Sequence, residues 1–381
     1  MIRSYRYRLK PNVAQKMFFI KTFGCVRYIY NWALSKRIES FQNNNDDISW
    51  KDMSSMLTSL KKESDKLWLN DVSAECLQQS LIDLNSAYTN FFRRKKGFPN
   101  FKSKRNCNHY RAINSVVVDQ DKCKIRLPKI GWVNFFSNRK YVGKFKSVTI
   151  SMTPTMKFFI SINVDDGKDV IDKPEISYDT SVGIDVGIKN FAVTSNGDVI
   201  NNPKFLEKSI GRIKVLQKRL NRKTKGSNNY VKSRIKLAKE YEKITNRRND
   251  FLHKISTNIV RENQTIIVED LNISGLMKNH NMAKSILSAS WYSFFKMLEY
   301  KCGWYGKNFI TIGRFDPSSK MCECGYINDE LKLSDRLWSC PNCGIVNDRD
   351  FLAAKNIKKF GLQRRNLIGY SPRVAGVELV E

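Results

Sequence analysis

Histidine is close to absent from this sequence: three residues in 381 (His109, His253 and His280). No His-x-His pair occurs, so single-strand joining by a histidine pair and a tyrosine nucleophile is excluded. Long apolar runs are missing as well. No stretch approaches the roughly 18 uninterrupted apolar residues of a membrane-spanning helix, and the opening MIRSYRYRLK lacks the apolar centre of an export signal. The expected setting is therefore the cytoplasm, with no membrane partner, where the nine cysteines stay reduced. Acidic residues are scarce, 36 against 67 Lys and Arg. A net charge of +31 repels itself in a compact body and points to a polyanionic partner, nucleic acid before any other.

What is present suits a folded chain: 41% apolar and 12% aromatic residues, at a length that allows two or three domains. Residues 1–10 alternate, with Tyr5, Tyr7 and Leu9 on one face and Arg6, Arg8 and Lys10 on the other, the pattern of a half-buried strand. Helices are expected from Pro11–Asn12 to about Phe41, at about 50–62 and at 72–95. The chain then turns strand-like: in MKFFISINV, Met156, Phe158, Ile160, Ile162 and Val164 share a face, and SVTIS pairs with them through the TPT turn. These strands should join the first in a small barrel that carries the helices as an insertion. The acidic stretch 165–180, with six acids and two lysines, reads as a linker.

Between Asp83 and Asp119 there are eight basic residues and no acid, with Phe91, Phe92, Phe98 and Phe101 interleaved. Against a merely solvated helix end, this favours a nucleic-acid contact through Arg93, Arg94, Lys95, Lys96, Lys102 and Lys104. Residues 204–254 carry seventeen basic and four acidic side chains on two helices joined by GSNN. Beyond a solvated hairpin, such a charge would guide nucleic acid.

Three acids are singled out. SVGIDVGIKNFAVTSNGDVI (181–200) reads as short antiparallel strands in which Asp185 shares a face with Gly183 and Gly187, leaving room for a metal ion and a phosphate. TIIVEDL (265–271) reads as a parallel strand buried on both faces and ending in Glu269, with Asp270 projecting the other way. In NDRDFLAAKNIKKF (347–360), Asp350, Ala353, Ala354 and Ile357 form one helical stripe, whereas Asp348 suits the N-cap. Three carboxylates placed in this way suit an RNase H-like sheet that holds two Mg²⁺ ions about 3.5–4 Å apart for phosphodiester hydrolysis. Cys322-x-Cys324 and Cys340-x-x-Cys343 resemble a structural zinc ribbon, although the first knuckle is one residue short.

Taken in order, YRYRLKP, FGCVRYIYNWAL, FRRKKGFPNFKSK, GIDVGIKNFA, NRRNDFLHKIST, VEDLNISGL, SSKMCECGY and CPNCGIVNDRDFLAAKNI resemble the TnpB family, insertion-sequence proteins related to type V CRISPR effectors. The resemblance implies an α/β multidomain fold. A β-barrel wedge domain (1–11 and 105–165) carries an inserted helical recognition domain (12–104). A linker (166–180) follows, then a RuvC-like nuclease domain (181–314 and 346–361) with an inserted zinc ribbon (315–345), and a flexible tail (362–381). It implies Mg²⁺-dependent cutting of double- and single-stranded target DNA by a monomer bound to a guide RNA from the transposon end, beside a short target-adjacent motif. The three acids fall on Asp185, Glu269 and Asp350, the zinc ligands on Cys322, Cys324, Cys340 and Cys343, and the motif-contacting stretch on Gln78 and Gln79. Leu352 stands where the family usually has Asn. A nuclease-inactive DNA-binding regulator of the same family is the alternative, though such proteins usually lose one of the acids; a transposase accessory protein is another.

Overall fold

A computed structural model of the chain describes residues 1–363 other than 45, 95, 96, 106, 138, 170 and 333. The chain divides into two compact units, with the boundary after Lys168.

In the first unit, β1 (Ile2–Lys10) alternates as its sequence requires, with Tyr7 and Leu9 buried and the arginines outward. Helix α1 (Val13–Asn44) starts on a reciprocal cap: Gln15 N–H donates to Asn12 Oδ1 at 2.8 Å and Asn12 N–H to Gln15 Oε1 at 3.0 Å. Helix α2 (Trp50–Leu60), a short 3₁₀ stretch (Ser64–Asp71) and α3 (Ala74–Arg94) follow. The strands β2 (His109–Ala112), β3 (Val117–Asp119), β4 (Lys124–Leu127), β5 (Gly131–Phe136), β6 (Lys144–Met152) and β7 (Phe158–Asp165) complete an antiparallel sheet in the order β2-β6-β7-β1-β5-β4-β3. Its edge strands β2 and β3 do not pair with each other, so among the described residues the small barrel expected is an open half-barrel sheet. Met156 also departs from expectation. It sits exposed at the turn, with φ 62°, rather than on the β7 face.

Helices and sheet share one core. Phe19 and Phe23 of α1 lie with ring centroids 5.6 and 6.5 Å from Phe158 of β7, and Leu77, Leu81 and Leu84 of α3 join the same buried cluster as Ile160 and Ile162. Fully burying each such side chain is worth about 1.5–3 kcal/mol, so the helices are built into the sheet's hydrophobic side. Residues 166–168, expected in the linker, belong to this unit: the N-terminal ammonium donates to Asp166 Oδ1 at 2.9 Å and to the Lys168 carbonyl at 2.8 Å.

The second unit is built on a five-stranded sheet. Strands β8 (Ser181–Val186), β9 (Asn190–Thr194) and β10 (Val199–Asn201) form the antiparallel run read from the sequence. The basic helices α4 (Phe205–Asn221) and α5 (Asn228–Glu262) follow, joined through a turn that Ser227 caps by accepting from Tyr230 N–H at 3.1 Å. Next come β11 (Thr265–Glu269), the short α6 (Ile273–Leu276), α7 (His280–Ala289), α8 (Trp291–Tyr305) and β12 (Asn308–Ile312). The hairpin β13 (Leu337–Ser339) with β14 (Val346–Asp348) precedes α9 (Arg349–Gln363).

The sheet order is β10-β9-β8-β11-β12, and β11 runs parallel to both neighbours. Ile266, Ile267 and Val268 are all fully buried, as the unbroken β-branched run demands. Ile266 and Val268 meet Val182, Ile184, α5 and α8 on one face; Ile267 meets Ile310, Ile312, Ile357 and Leu362 on the other. Lys301 fastens α8 to α5, its buried ammonium donating to the His253 carbonyl, Ser256 Oγ and Thr257 Oγ1 at 2.6–2.8 Å. Leu362 and Gln363, expected in the tail, continue α9; the rest of that stretch, 364–381, lies outside the described residues.

Candidate active site and metal centres

The register of the parallel strands decides where the acids fall. Ile267 pairs with Gly183 and Val268 with Ile184, so continuing one residue sets Glu269 beside Asp185. Both share the face of Gly183 and Ile267, the face that α9 covers. A Cβ on Gly183 would stand 2.2 Å from the Ala354 carbonyl oxygen and 2.6 Å from Lys358 N. Asp350 begins α9 one turn before Ala354, as Asp185 lies two residues beyond Gly183, so the helix carries its acid to the ends of β8 and β11. The glycine beside Asp185 thus has a different purpose from the one its spacing suggested. It admits the backbone of α9 and is not room left for a phosphate.

Asp185 feels the charge of both other acids. Burial holds the Asp185 carboxyl well above the usual range, and the negative charges of Glu269 and then Asp350 push it the same way. Burial also raises Glu269, partly opposed by the Ser318 hydroxyl that donates to Glu269 Oε1, while Asp316 adds a further upward push. Asp350 Oδ1 accepts from Arg336 Nη1 at 2.8 Å, beside a cavity of about 300 Å³ lined also by Lys189, Asn190 and Phe351. Asp348 caps the helix, its Oδ1 accepting from Phe351 N–H at 2.9 Å, and the exposed Asp270 pairs with Arg314 at 3.3 Å. Among the described residues the three carboxylates do not draw together within 4.8 Å as a metal-holding group. Half-buried oxygen donors of like charge suit hard divalent cations.

The four cysteines do converge. Their sulfurs all lie within 4.8 Å of one another, with Cys322 and Cys343 3.6 Å apart and Cys324 and Cys340 also 3.6 Å apart. A tetrahedral ion with bonds near 2.3 Å sets sulfurs about 3.8 Å apart, so the short first knuckle reaches the site as well as the second does. Asn342 Nδ2 donates to Cys324 Sγ and Asn347 Nδ2 to Cys322 Sγ, each at 3.6 Å. With Tyr326 N–H first and then Asn342, such bonds bring the Cys324 thiol down to about 6, whereas the Cys343 thiol, against the lowering bond at Ile345, is pushed up to about 12 by desolvation and the neighbouring sulfurs. Of the other cysteines, Cys25, Cys76, Cys107 and Cys302 are buried and Cys123 half-buried, all free.

The expected nucleic-acid residues divide. Arg93 and Arg94 are exposed in the last turn of α3, with Phe92 and Phe98 exposed nearby, and Lys104 is exposed. Lys95 and Lys96 lie outside the described residues. Lys102 turns inward, its ammonium 3.5 Å from the centroid of Tyr30. Gln78 is exposed but Gln79 is buried. Sequence reasoning passed over Ser318, Asn356, Arg336 and Asp316. The first two stood inside quoted motifs, but no periodicity reveals what a hydroxyl or an amide bonds across the fold.

Set beside known protein families, residues 161–280 match the OrfB family of IS605 type, described as a probable transposase, and 291–357 match a Cas12f1-like TNB domain. Residues 1–46 match a helix-turn-helix family, yet the structure gives that stretch one strand and one unbroken 32-residue helix. A Streptomyces pristinaespiralis protein named as a candidate RNA-guided DNA endonuclease is 36% identical over 94% of this chain and 89% of its own. InsQ of Escherichia coli K12, named likewise, is 31% identical over 94% and 92%. Among solved structures, a Cas12f1–sgRNA–target DNA complex matches in fold with TM-score 0.56 at 16% identity, over 91% of this chain and 82% of that one. The mini-RNA-guided endonuclease Cas_phi3 matches with TM-score 0.54 at 9% identity, over 95% and 92%. Likeness over nearly the whole length, together with the OrfB match at its centre, makes this chain a member of the TnpB family.

Proposed function

We propose that the chain is an RNA-guided DNA endonuclease whose second unit is a RuvC-type nuclease of RNase H-like fold. The observation that carries this reading is the parallel register that sets Glu269 beside Asp185, under the helix that brings Asp350. Asp185, Glu269 and Asp350 hold two Mg²⁺ ions, which when bound activate water and stabilise the leaving oxygen of a phosphodiester. The rigid strands fix two of the acids and α9 the third, so their geometry is set before substrate arrives. Cys322, Cys324, Cys340 and Cys343 hold a structural Zn²⁺, leaving no open position for chemistry. The first unit serves as wedge and recognition domain. It holds a guide RNA from the transposon end, and Arg93, Arg94, Lys104 and the exposed Gln78 face nucleic acid. Pairing reads the target while the protein reads backbone and a short adjacent motif, and the working unit is one chain on one RNA. The names of the relatives and the +31 charge support this reading.

The test is cleavage of a plasmid carrying the guide match by protein purified with its RNA. Cutting is expected with Mg²⁺ and not with EDTA, and the variants Asp185→Ala, Glu269→Ala and Asp350→Ala should each lose it. Undiminished cutting by any of the three would refute the assignment.

A further inference from the structure

The loop between β12 and the first cysteine pair touches two of the three acid-bearing elements. Ser318 is buried, and its hydroxyl donates to Glu269 Oε1 at the end of β11. Its carbonyl accepts from Asn356 Nδ2 of α9 at 2.7 Å, and the same amide donates to the Met321 carbonyl at 2.6 Å. Asn356 is 2% exposed, so its amide bonds form away from water, where a lost partner costs most. The loop is internally braced: Met321 N–H donates to the Pro317 carbonyl at 3.0 Å, and Gly313 N–H to Asp316 Oδ2 at 2.8 Å. Met321 directly precedes Cys322 of the sulfur cluster.

A carboxylate on a strand end can rotate about its last bonds, and an ion-binding acid must not. With Oε1 engaged by Ser318, rotation of the Glu269 carboxylate is restricted, and Oε2 would be the oxygen available to an ion. Asn356 holds the serine's backbone to the helix that bears Asp350, so Glu269 and Asp350 are referred to one frame. Hydroxyls of this kind around ion-binding carboxylates typically govern 10–100-fold in metal affinity or activity. We propose that Ser318 is a positioning residue for Glu269, anchored by Asn356, and that it sets the divalent-ion affinity of the nuclease centre. This rests on the nuclease reading above.

Ser318→Thr and Ser318→Val give the test, because they add the same bulk and differ only in keeping or losing the hydroxyl. Two quantities are measured: the Mg²⁺ concentration for half-maximal plasmid cleavage, and binding of Tb³⁺ by luminescence to the RNA-bound protein without DNA. Zinc content serves as the check that the ribbon is intact. The Val variant should need about 10-fold more Mg²⁺ than the Thr variant and bind Tb³⁺ about 10-fold more weakly. Asn356→Ala should shift both in the same direction. Equal values for the Thr and Val variants would overturn the positioning role while Asp185→Ala still abolishes cutting and the nuclease reading stands. Cutting by Asp185→Ala would instead bring down both.

Discussion

Gly183→Ala adds a single methyl group at the tightest point between β8 and α9. Its carbon would meet the Ala354 carbonyl oxygen at 2.2 Å, where ordinary contact begins at 3.4 Å, so strand and helix must separate by about 1.2 Å. The obstacle is helix backbone, which cannot rotate aside. Overpacking of this kind costs about 1–3 kcal/mol of stability, which a domain of ordinary stability survives. The effect on cutting should be much larger. Asp350 rides on the displaced helix, and a 1 Å misplacement of a reacting group can cost about 100-fold in rate. Urea unfolding and plasmid-cleavage kinetics on the same preparation would separate the two effects. The expected outcome is a folded protein, about 1–3 kcal/mol less stable, cutting about 100-fold more slowly at saturating Mg²⁺. If Gly183→Ala cuts within about twofold of the parent, the argument that α9 must seat on a bare strand to place Asp350 fails.

Two further outcomes follow from the ribbon and the basic face. Cys340→Ser should lose the bound zinc by mass spectrometry and redden the emission of the buried Trp338, which shares the ribbon's small core with Cys322, Cys340 and Leu352. Retention of one zinc per chain would contradict the four-sulfur assignment. Arg93→Gln combined with Arg94→Gln should flatten the dependence of log K for RNA on log salt by about 1.4, at roughly 0.7 for each phosphate no longer neutralised. An unchanged slope would remove both from the interface.

Features with a short repeat are legible in the amino-acid sequence itself. A 3.6-residue period separates Asp350 from Asp348, and the structure gives the latter the capping bond to Phe351. The unbroken TIIV run marks β11 as buried on both faces, and it is. What the sequence conceals depends on which element lies across from which. Nothing within GIDVG says that Gly183 is met by a helix more than 170 residues later. The basic run 93–104 looks uniform in text, yet Lys102 turns onto Tyr30 while Arg93 and Arg94 face water. Gln78 and Gln79 are neighbours in the chain, but a step of about 100° around the helix leaves one exposed and the other buried. Alternation placed Met156 on a strand because a period of two carries no signal for where the hairpin turns.

The mingled core of the first unit has a bearing on protein engineering. Phe19, Phe23, Leu77 and Leu84 are packed among the side chains of the sheet and not merely laid over it. A chimera that exchanges α1–α3 for those of a relative would import side chains shaped for another floor. Successful grafts will have to carry the inward residues of β2, β6 and β7 along with the helices.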